Sequence, residues 1–158
     1  MTDDELQQLV RQISQKWFSR SFEHQALFNH RLKTTGGRYV LASHNIEINP
    51  LMLIEHGQAV LIGIIKHELI HYHQHISGLP YQHRDIAFKK ELKRVGALRY
   101  APATSYRLQK QQSQRNYHLY TCINGHAIRR QRYINVNRYR CGLCHGKLRL
   151  MASEAQSK

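Results

Sequence analysis

Hydrophobic residues near the start of the chain recur at helical spacing. Thr2, with Glu5 three positions later, has the pattern of a capping box, in which each side chain accepts a hydrogen bond from the other residue's backbone. The apolar positions that follow are Leu6, Leu9, Val10, Ile13 and Trp17. We therefore expect a first helix over about residues 3–20.

Three short runs of β-forming residues come next and predict a small three-stranded sheet. The runs are 26–32, 38–42 and 45–48, and Thr34-Thr35-Gly36-Gly37 separates the first two. Asn49-Pro50 closes the last run, because proline cannot donate a hydrogen bond to a neighbouring strand.

The longest apolar stretch of the chain predicts a central helix. It opens at Gly57, runs to His75, and is stopped by Gly78 and Pro80. A further helix is expected over about residues 84–95, with its apolar side chains on one face.

The rest of the chain is polar and basic, and this change sets the predicted domain boundaries. We assign residues 1–98 to an α+β domain and 99–115 to a basic linker. Residues 116–150 are expected to form a small domain of short strands, and 151–158 a frayed tail. A chain of 158 residues can bury one modest core plus a small appendage held by metal.

Charge is distributed unevenly along the chain. Residues 1–80 contain 7 basic and 7 acidic side chains, whereas residues 81–158 contain 17 basic and 3 acidic ones. The second half therefore carries the whole net charge of +14, and no acidic residue lies between Glu91 and Glu154. We expect this stretch to attract polyanions.

Neither export nor membrane insertion is predicted. The chain starts with the acidic segment Thr2-Asp3-Asp4-Glu5, no apolar signal region follows, and the apolar run 59–65 is too short to cross a bilayer. We expect a cytoplasmic protein with no membrane partner. In that reducing compartment, three cysteines indicate a metal site rather than disulfides.

Polar residues interrupt the apolar central helix at His67-Glu68-Leu69-Ile70-His71. Two histidines four positions apart lie on one face of a helix and can bind the same ion. Such polar groups would be costly to bury without a partner. We predict that His67 and His71 bind a catalytic zinc ion and that Glu68 is the general base.

Several side chains downstream of this motif are candidates for the third ligand. Eight helical residues place His75 about 12 Å along the helix from the first histidine, which is too far. The break at Gly78-Leu79-Pro80 allows the chain to reverse, which favours His83 at the start of the next helix. Glu91 on that helix is the alternative, whereas His73 points to another face and is expected at the surface or behind the ligands.

A second metal site is predicted near the end of the chain. Cys141-Gly142-Leu143-Cys144 has the spacing of half a structural zinc site, because glycine permits the tight turn between two thiolates. Cys122 is the expected third ligand. His126 is the best candidate for the fourth, with His118 and His145 as alternatives.

Basic and aromatic residues alternate around these ligands and predict nucleic-acid binding. Arginines neutralise phosphates, and exposed aromatic rings stack on unpaired bases. The residues expected to bind are Arg129, Arg130, Arg132, Arg138, Arg140, Tyr133 and Tyr139. DNA is the favoured partner, and it can be single-stranded. The alternative is that the charges form an ordinary solvated surface and that the tyrosines form the core of this small domain.

Taken in order, these motifs resemble the bacterial SprT-like proteins, which are relatives of the DNA-dependent metalloprotease Spartan. The segments that carry the resemblance are residues 32–37, 48–50, 67–71, Gly78 with 81–85 and Phe88, 139–144, and 146–148. The resemblance covers nearly the whole chain.

This resemblance implies a compact zincin-like metalloprotease domain of the α+β class, followed by a zinc ribbon. It implies zinc on His67, His71 and His83, with Glu68 as the base. Many members supply the first half of the ribbon as a Cys-x-x-Cys pair. Here Gly125 occupies the position of the second cysteine, and His126 follows it.

The leading functional hypothesis is a zinc metallopeptidase that acts on DNA-bound or DNA-crosslinked protein. A hypothesis from another class is a non-enzymatic, nucleic-acid-binding regulatory protein. A third is a zinc hydrolase of small amides.

Overall fold

The computed structural model describes residues 1–112 and 116–155, in which helices and two small sheets combine as a mixed α+β architecture. The chain divides into two compact units, Met1–Arg107 and Leu108–Lys158. Among the described residues, no helix is both long enough and apolar enough to cross a membrane.

The first helix, α1, spans Asp3–Phe18 and begins with the predicted capping box. The backbone N–H of Thr2 donates to Glu5 Oε2 at 2.7 Å, and the N–H of Glu5 donates to Thr2 Oγ1 at 3.2 Å. Ser19 ends the helix in the left-handed conformation. The buried face of α1 carries Leu6, Val10, Ile13 and Ser14.

A three-stranded sheet follows, as predicted, but its strands are shorter than the predicted runs. The strands are β1 (Ala26–Phe28), β2 (Gly37–Tyr39) and β3 (Ile46–Ile48), in the order β1-β3-β2. β3 pairs in parallel with β1 and antiparallel with β2. β2 is therefore an edge strand of this sheet.

The central helix, α2, spans Leu51–Ile76 and starts earlier than predicted. Pro50 precedes its first turn, and Gly57 (φ 79°, ψ 179°) separates a short first segment from the long second one. Asn49-Pro50 was predicted only to end a strand. Proline is equally suited to the start of a helix, because its missing N–H has no partner there.

The core of the first unit lies between α1, the sheet and α2. Leu61, Ile65 and Leu69 of α2 are fully buried in it. A second cluster joins Ile70 of α2 to helix α3, which spans Ile86–Val95 and is followed by Gly96 in the left-handed conformation. This packing fixes α3 against the same helix that carries the histidine motif.

Residues 105–112, which were predicted to belong to a linker, form helix α4 (Ser105–Gln112). Thr104 Oγ1 accepts from the N–H of Arg107 at 3.1 Å, and Glu55 accepts from the backbone and hydroxyl of Ser105 at 2.8 and 2.6 Å. These contacts stabilise the first turn of a helix whose polar sequence shows little periodicity. Residues 113–115 lie outside the described part of the chain.

The second unit contains an antiparallel sheet with the order β5-β4-β6. Its strands are β4 (Asn116–Cys122), β5 (Ala127–Arg130) and β6 (Leu148–Ala155). Residues 151–155 were predicted to lie in a frayed tail, but they extend β6 because they pair with the start of β4. Residues 156–158 lie outside the described part of the chain.

Candidate metal centres

Three histidine side chains meet at one point in the first unit. His67 and His71 lie one turn apart on α2, and His83 lies in the turn between α2 and α3. Their Nε2 atoms are separated by 2.8 Å (His67–His83), 2.9 Å (His71–His83) and 3.2 Å (His67–His71). Nitrogens bound to one tetrahedral zinc ion at about 2 Å lie roughly 3.3 Å apart. The three atoms therefore fit a single ion.

The turn that carries His83 is fixed by its own hydrogen bonds. Gly78 adopts φ 68°, which supports the predicted reversal of the chain. The N–H of Gln82 donates to Asp85 Oδ2 at 2.7 Å, and the N–H of Asp85 donates to the carbonyl of Gln82 at 2.9 Å. His83 lies just before α3, which begins at Ile86 instead of at about residue 84, because these bonds hold residues 82–85 in a non-helical turn.

Two backbone carbonyls orient the helical histidines. His67 Nδ1 lies 2.7 Å from the carbonyl of Leu98, and His71 Nδ1 lies 2.7 Å from the carbonyl of Tyr81. A carbonyl oxygen only accepts, so each Nδ1 carries the proton and each Nε2 keeps its lone pair. Metal-binding histidines are commonly oriented in this way. These acceptors are backbone carbonyls, so residue type alone does not reveal them.

The surroundings of the histidines favour the neutral ring that a metal ligand needs. Burial lowers the pKa of His67, and burial together with the neighbouring His67 lowers the pKa of His71 to about 4. The buried ring of Phe88 packs against all three imidazoles, at centroid distances of 5.3, 4.4 and 5.1 Å from His67, His71 and His83.

Glu68 is buried beside this cluster. Burial raises the pKa of its carboxyl to about 8, and the backbone N–H of Tyr39 faces the carboxyl and works in the opposite direction. It is the only acidic residue in the lining of the two cavities that meet here. Tyr39 was not predicted to contribute to the site, because tyrosine is common in β-strands and its presence in one does not indicate a functional role.

The cavities on either side of the histidines share Gly37, His67, Glu68 and His83. One has a volume of about 360 Å³ and the other of about 240 Å³. The first is lined in addition by Arg38, Tyr39, Leu41, His71, Tyr81 and Gln82. The second is lined in addition by Thr34, Thr35, Gly36, Ile64, Leu98, Arg99, Tyr100, Ala101 and Arg107. The cleft thus continues past the histidines in two directions.

Other candidates for the third ligand lie elsewhere. Glu91 accepts three hydrogen bonds of 2.7 to 3.0 Å from Arg94 on α3 and is not part of the histidine group. His73 is buried, not at the surface, and its Nε2 lies 2.8 Å from Ser14 Oγ. The structure therefore favours His83 over Glu91 as the candidate third ligand, because Arg94 holds the carboxylate of Glu91.

The second unit brings together Cys122, His126, Cys141 and Cys144. Cys122 Sγ lies 3.4 Å from His126 Nδ1 and 3.5 Å from Cys144 Sγ, and Cys141 Sγ lies 3.6 Å from His126 Nδ1. All three cysteines are free thiols. Three thiols and one imidazole at this spacing match the donor set of a structural zinc site.

Local backbone geometry builds each half of this group. Gly125 at φ 79° closes the turn that places His126 against Cys122, whose sulfur accepts from the N–H of His126 at 3.3 Å. The N–H groups of Leu143 and Cys144 lower the pKa of Cys141, which favours the thiolate that binds metal. The alternative fourth ligands, His118 and His145, lie outside the group.

The arginines predicted to bind nucleic acid are exposed in the second unit. Tyr133 and Tyr139 are 63% and 53% exposed. The guanidinium of Arg129 lies 3.7 Å from the ring centre of Tyr117. The exposed basic residues of this set are Arg129, Arg130, Arg132, Arg138 and Arg140. All four ion pairs found among the described residues lie in the first unit, so none neutralises these arginines.

Arg140 and Tyr120 of the second unit make hydrogen bonds that stabilise the unit itself. Arg140 Nη1 donates to the carbonyls of Val136, Asn137 and Tyr139 at 3.1 to 3.3 Å, which ties its side chain to its own loop. Tyr120 is only 1% exposed, and its hydroxyl accepts from the N–H of Ile134 at 2.7 Å. Part of the tyrosine pattern is therefore core, whereas Tyr133 and Tyr139 face solvent.

Comparison with known proteins places these features in a family. The model of the SprT-like family matches residues 6–109. The chain is 49% identical over 154 residues to Protein SprT-like of Bacillus subtilis (strain 168), covering 97% of this chain and 100% of the relative. It is 52% identical over 153 residues to Protein SprT-like of Lactiplantibacillus plantarum, covering 96% of this chain and 100% of the relative. No solved structure matches the chain. The chain therefore belongs to the SprT-like family.

Proposed function

We propose that this protein is a zinc-dependent metallopeptidase that cleaves DNA-bound or DNA-crosslinked protein. The observation that carries the proposal is the convergence of three Nε2 atoms, within 3.2 Å of one another, beside the buried carboxyl of Glu68. Their position in a cleft that continues on both sides supports a polymeric substrate.

His67, His71 and His83 would hold the zinc ion, with the first two rings fixed by the carbonyls of Leu98 and Tyr81. When bound, zinc acts as a Lewis acid that makes water more acidic and polarises a carbonyl group. A nearby dication also favours the carboxylate form of Glu68 over the protonated form that burial favours.

Glu68 would hold and move the proton of the reaction. Its carboxylate accepts a proton from the attacking water and can return it to the nitrogen of the cleaved amide. Because its pKa is raised by burial, the carboxyl group is a stronger base than an exposed glutamate once it is ionised.

The edge strand β2 supports a peptide substrate. Residues 36, 38 and 40 face β3, since Gly36 and Val40 bond to Asn49 and Asn45 and Arg38 is opposite Glu47. The backbone groups of Gly37 and the carbonyl of Tyr39 therefore point away from β3 and are available to a substrate, and both residues line the cleft. An extended peptide can pair with such an edge.

The charge of the second unit supports a nucleic-acid partner. Its sequence from residue 108 contains ten basic residues and one acidic residue, Glu154. Exposed arginines and the exposed rings of Tyr133 and Tyr139 offer phosphate contacts and stacking faces. DNA would then concentrate enzyme and protein substrate together. This suits a cleft whose lining combines apolar, polar and charged residues and so does not favour one type of side chain.

The test is cleavage of a basic DNA-binding protein by the zinc-loaded full chain, with and without single-stranded DNA, at low and high salt. We expect DNA to accelerate cleavage at low salt and the acceleration to disappear at high salt. Equal rates under all four conditions would remove DNA from the function. Rapid cleavage of short model amides without DNA would favour a small-amide hydrolase instead.

A second candidate function is non-enzymatic nucleic-acid binding, favoured by the separate second unit with its own metal group and basic surface. The Glu68→Gln variant separates the two functions. The peptidase proposal requires loss of cleavage with zinc content and DNA affinity unchanged. A variant that matches the parent protein in every assay, including cellular ones, would favour the second candidate.

A further inference from the structure

A network of tyrosine and histidine side chains lies next to the catalytic cleft. The hydroxyl of Tyr39 lies 2.6 Å from His44 Nδ1 and 2.7 Å from His75 Nδ1. A phenol has one proton, so Tyr39 donates to one imidazole and accepts from the other. The ring is thus held between the β2–β3 connection and the last turn of α2.

Further contacts hold the two imidazoles in place. The ring of His24 packs against His44 at a centroid distance of 5.0 Å, and its Nδ1 lies 3.0 Å from the hydroxyl of Tyr72. The ring of Tyr81 packs against His75 at 4.7 Å. Burial raises the pKa of Tyr39 to about 12, so the phenol keeps its proton at neutral pH.

The backbone of Tyr39 lies at the cavity that also contains Glu68. Tyr39 is the last residue of β2, a strand of three residues paired on one side only. Its N–H points away from β3, on the side of the cavity that Tyr39 and Glu68 line together, and it lowers the pKa of the Glu68 carboxyl. A short edge strand has few contacts of its own to fix the position of that N–H, so the anchored side chain must supply them.

We propose that Tyr39 is a positioning residue for Glu68, whose side chain, clamped between His44 and His75, fixes the backbone N–H that orients the carboxylate. The proposal rests on the proposed function, because it assigns Glu68 the role of general base. The metal ligands are oriented by other groups, namely the carbonyls of Leu98 and Tyr81.

The first test is the Tyr39→Phe variant, which keeps the ring and removes the clamped hydroxyl. We expect kcat to fall about tenfold, as is typical when a group that orients a catalytic residue is lost. KM should change less than about twofold, and zinc content should not change. The matched control is Tyr120→Phe, which also removes a buried hydroxyl with a hydrogen bond, from the N–H of Ile134, but lies in the second unit and outside this network.

The second variant, His44→Gly, breaks the clamp from the other side. His44 has φ 57°, a conformation that glycine tolerates, and glycine has no side chain to contact the phenol. We expect His44→Gly and Tyr39→Phe to lower kcat by similar factors, and the double variant to lower it no further than either alone. Independent, multiplying effects would overturn the clamp.

The third measurement needs no catalysis. Amide hydrogen exchange at residue 39 in the metal-free protein should be slow in the parent, about tenfold faster in Tyr39→Phe and in Glu68→Ala, and unchanged in Tyr120→Phe. Unchanged exchange in Tyr39→Phe would overturn the proposal. If the parent cleaves no protein at all, the proposed function fails, and the exchange measurement still decides whether Tyr39 positions Glu68.

Discussion

His67 Nε2 and His83 Nε2 lie 2.8 Å apart, although 16 residues and the end of a helix separate them in the chain. The hydrogen bond from His67 Nδ1 to the carbonyl of Leu98 leaves the facing Nε2 of His67 unprotonated. A nitrogen lone pair directed at a neighbouring ring nitrogen is favourable only when a cation or a proton lies between them. The geometry of the pair is consistent with two ligands of one metal ion, as we propose.

The first prediction concerns His83, whose replacement should remove zinc from the first unit. His83→Ala is expected to weaken zinc binding at this site by more than about 100-fold. Even the loss of a group that only hydrogen-bonds to a metal ligand lowers metal affinity about 10- to 100-fold. Metal analysis after dialysis should find one zinc ion per chain instead of two, with no cleavage. His30→Ala, at an exposed histidine outside the site, is the control and should keep both ions.

A pH dependence follows from the burial of Glu68 in the metal-free protein. Its pKa is raised to about 8 in the folded state from an ordinary value of 4.5. The folded state therefore binds more protons between these values, so this contribution to stability is present below about pH 4.5 and is lost as the pH rises through about 8. Glutamine at this position does not titrate.

The measurement is urea unfolding of the parent and of Glu68→Gln in the presence of a chelator, followed by the fluorescence of Trp17, the single tryptophan. We expect the variant to gain stability relative to the parent as the pH rises, by on the order of a few kcal/mol. The histidines with lowered pKa values, His67, His71 and His73, are present in both proteins, so their contribution cancels when the two stabilities are subtracted. A constant difference across this pH range would contradict the prediction.

A third prediction concerns the packing behind His67. A Cβ atom on Gly63 would lie 2.6 Å from Leu98 Cγ, so Gly63→Ala should displace Leu98 and the carbonyl that accepts from His67. We expect weaker zinc binding and a loss of stability of about 1–3 kcal/mol, although alanine favours a helix more than glycine does. The double variant Gly63→Ala/Leu98→Ala removes the overlap and should recover zinc affinity. A single variant that binds zinc like the parent would show that this carbonyl does not matter.

The second metal group yields a prediction about its histidine ligand. His126→Ala should release one zinc ion and unfold the second unit, because two of the distances that define the group end on this ring. His145→Asn is the control, since His145 has φ 55° and asparagine tolerates that conformation. Zinc content and the amide spectrum of residues 116–155 provide the readout. Retention of both zinc ions by His126→Ala would require another fourth ligand.

A fifth prediction separates binding arginines from a structural one. Arg132→Gln should weaken single-stranded DNA binding and lower the slope of log affinity against log salt by about 0.7. Arg140→Gln should mainly lower the stability of the second unit, because its Nη1 donates to three carbonyls of its own loop. Equal effects of the two variants on the salt slope would mean that Arg140 also contacts phosphate.

The ligands of the two candidate metal sites that could be predicted from the sequence are those that lie close together in the chain. His67 and His71 are four residues apart on a helix, and Cys141 and Cys144 are three apart in a turn, so backbone geometry alone places each pair together. Longer elements with regular periodicity, such as α1 and α3, were predicted within a few residues. The helix α4 was missed because its polar sequence has no clear period and its first turn depends on Glu55.

The sequence by itself determined the helical histidine pair, the cysteine turn and the excess of positive charge in the second half, because these depend on neighbours in the chain. Tertiary structure decided between His83 and Glu91, since the outcome depends on how the 82–85 turn folds and on Arg94 holding the glutamate. It also brought Tyr39 to Glu68. That proximity depends on how the short edge strand β2 packs against α2, and residue type alone does not determine this packing.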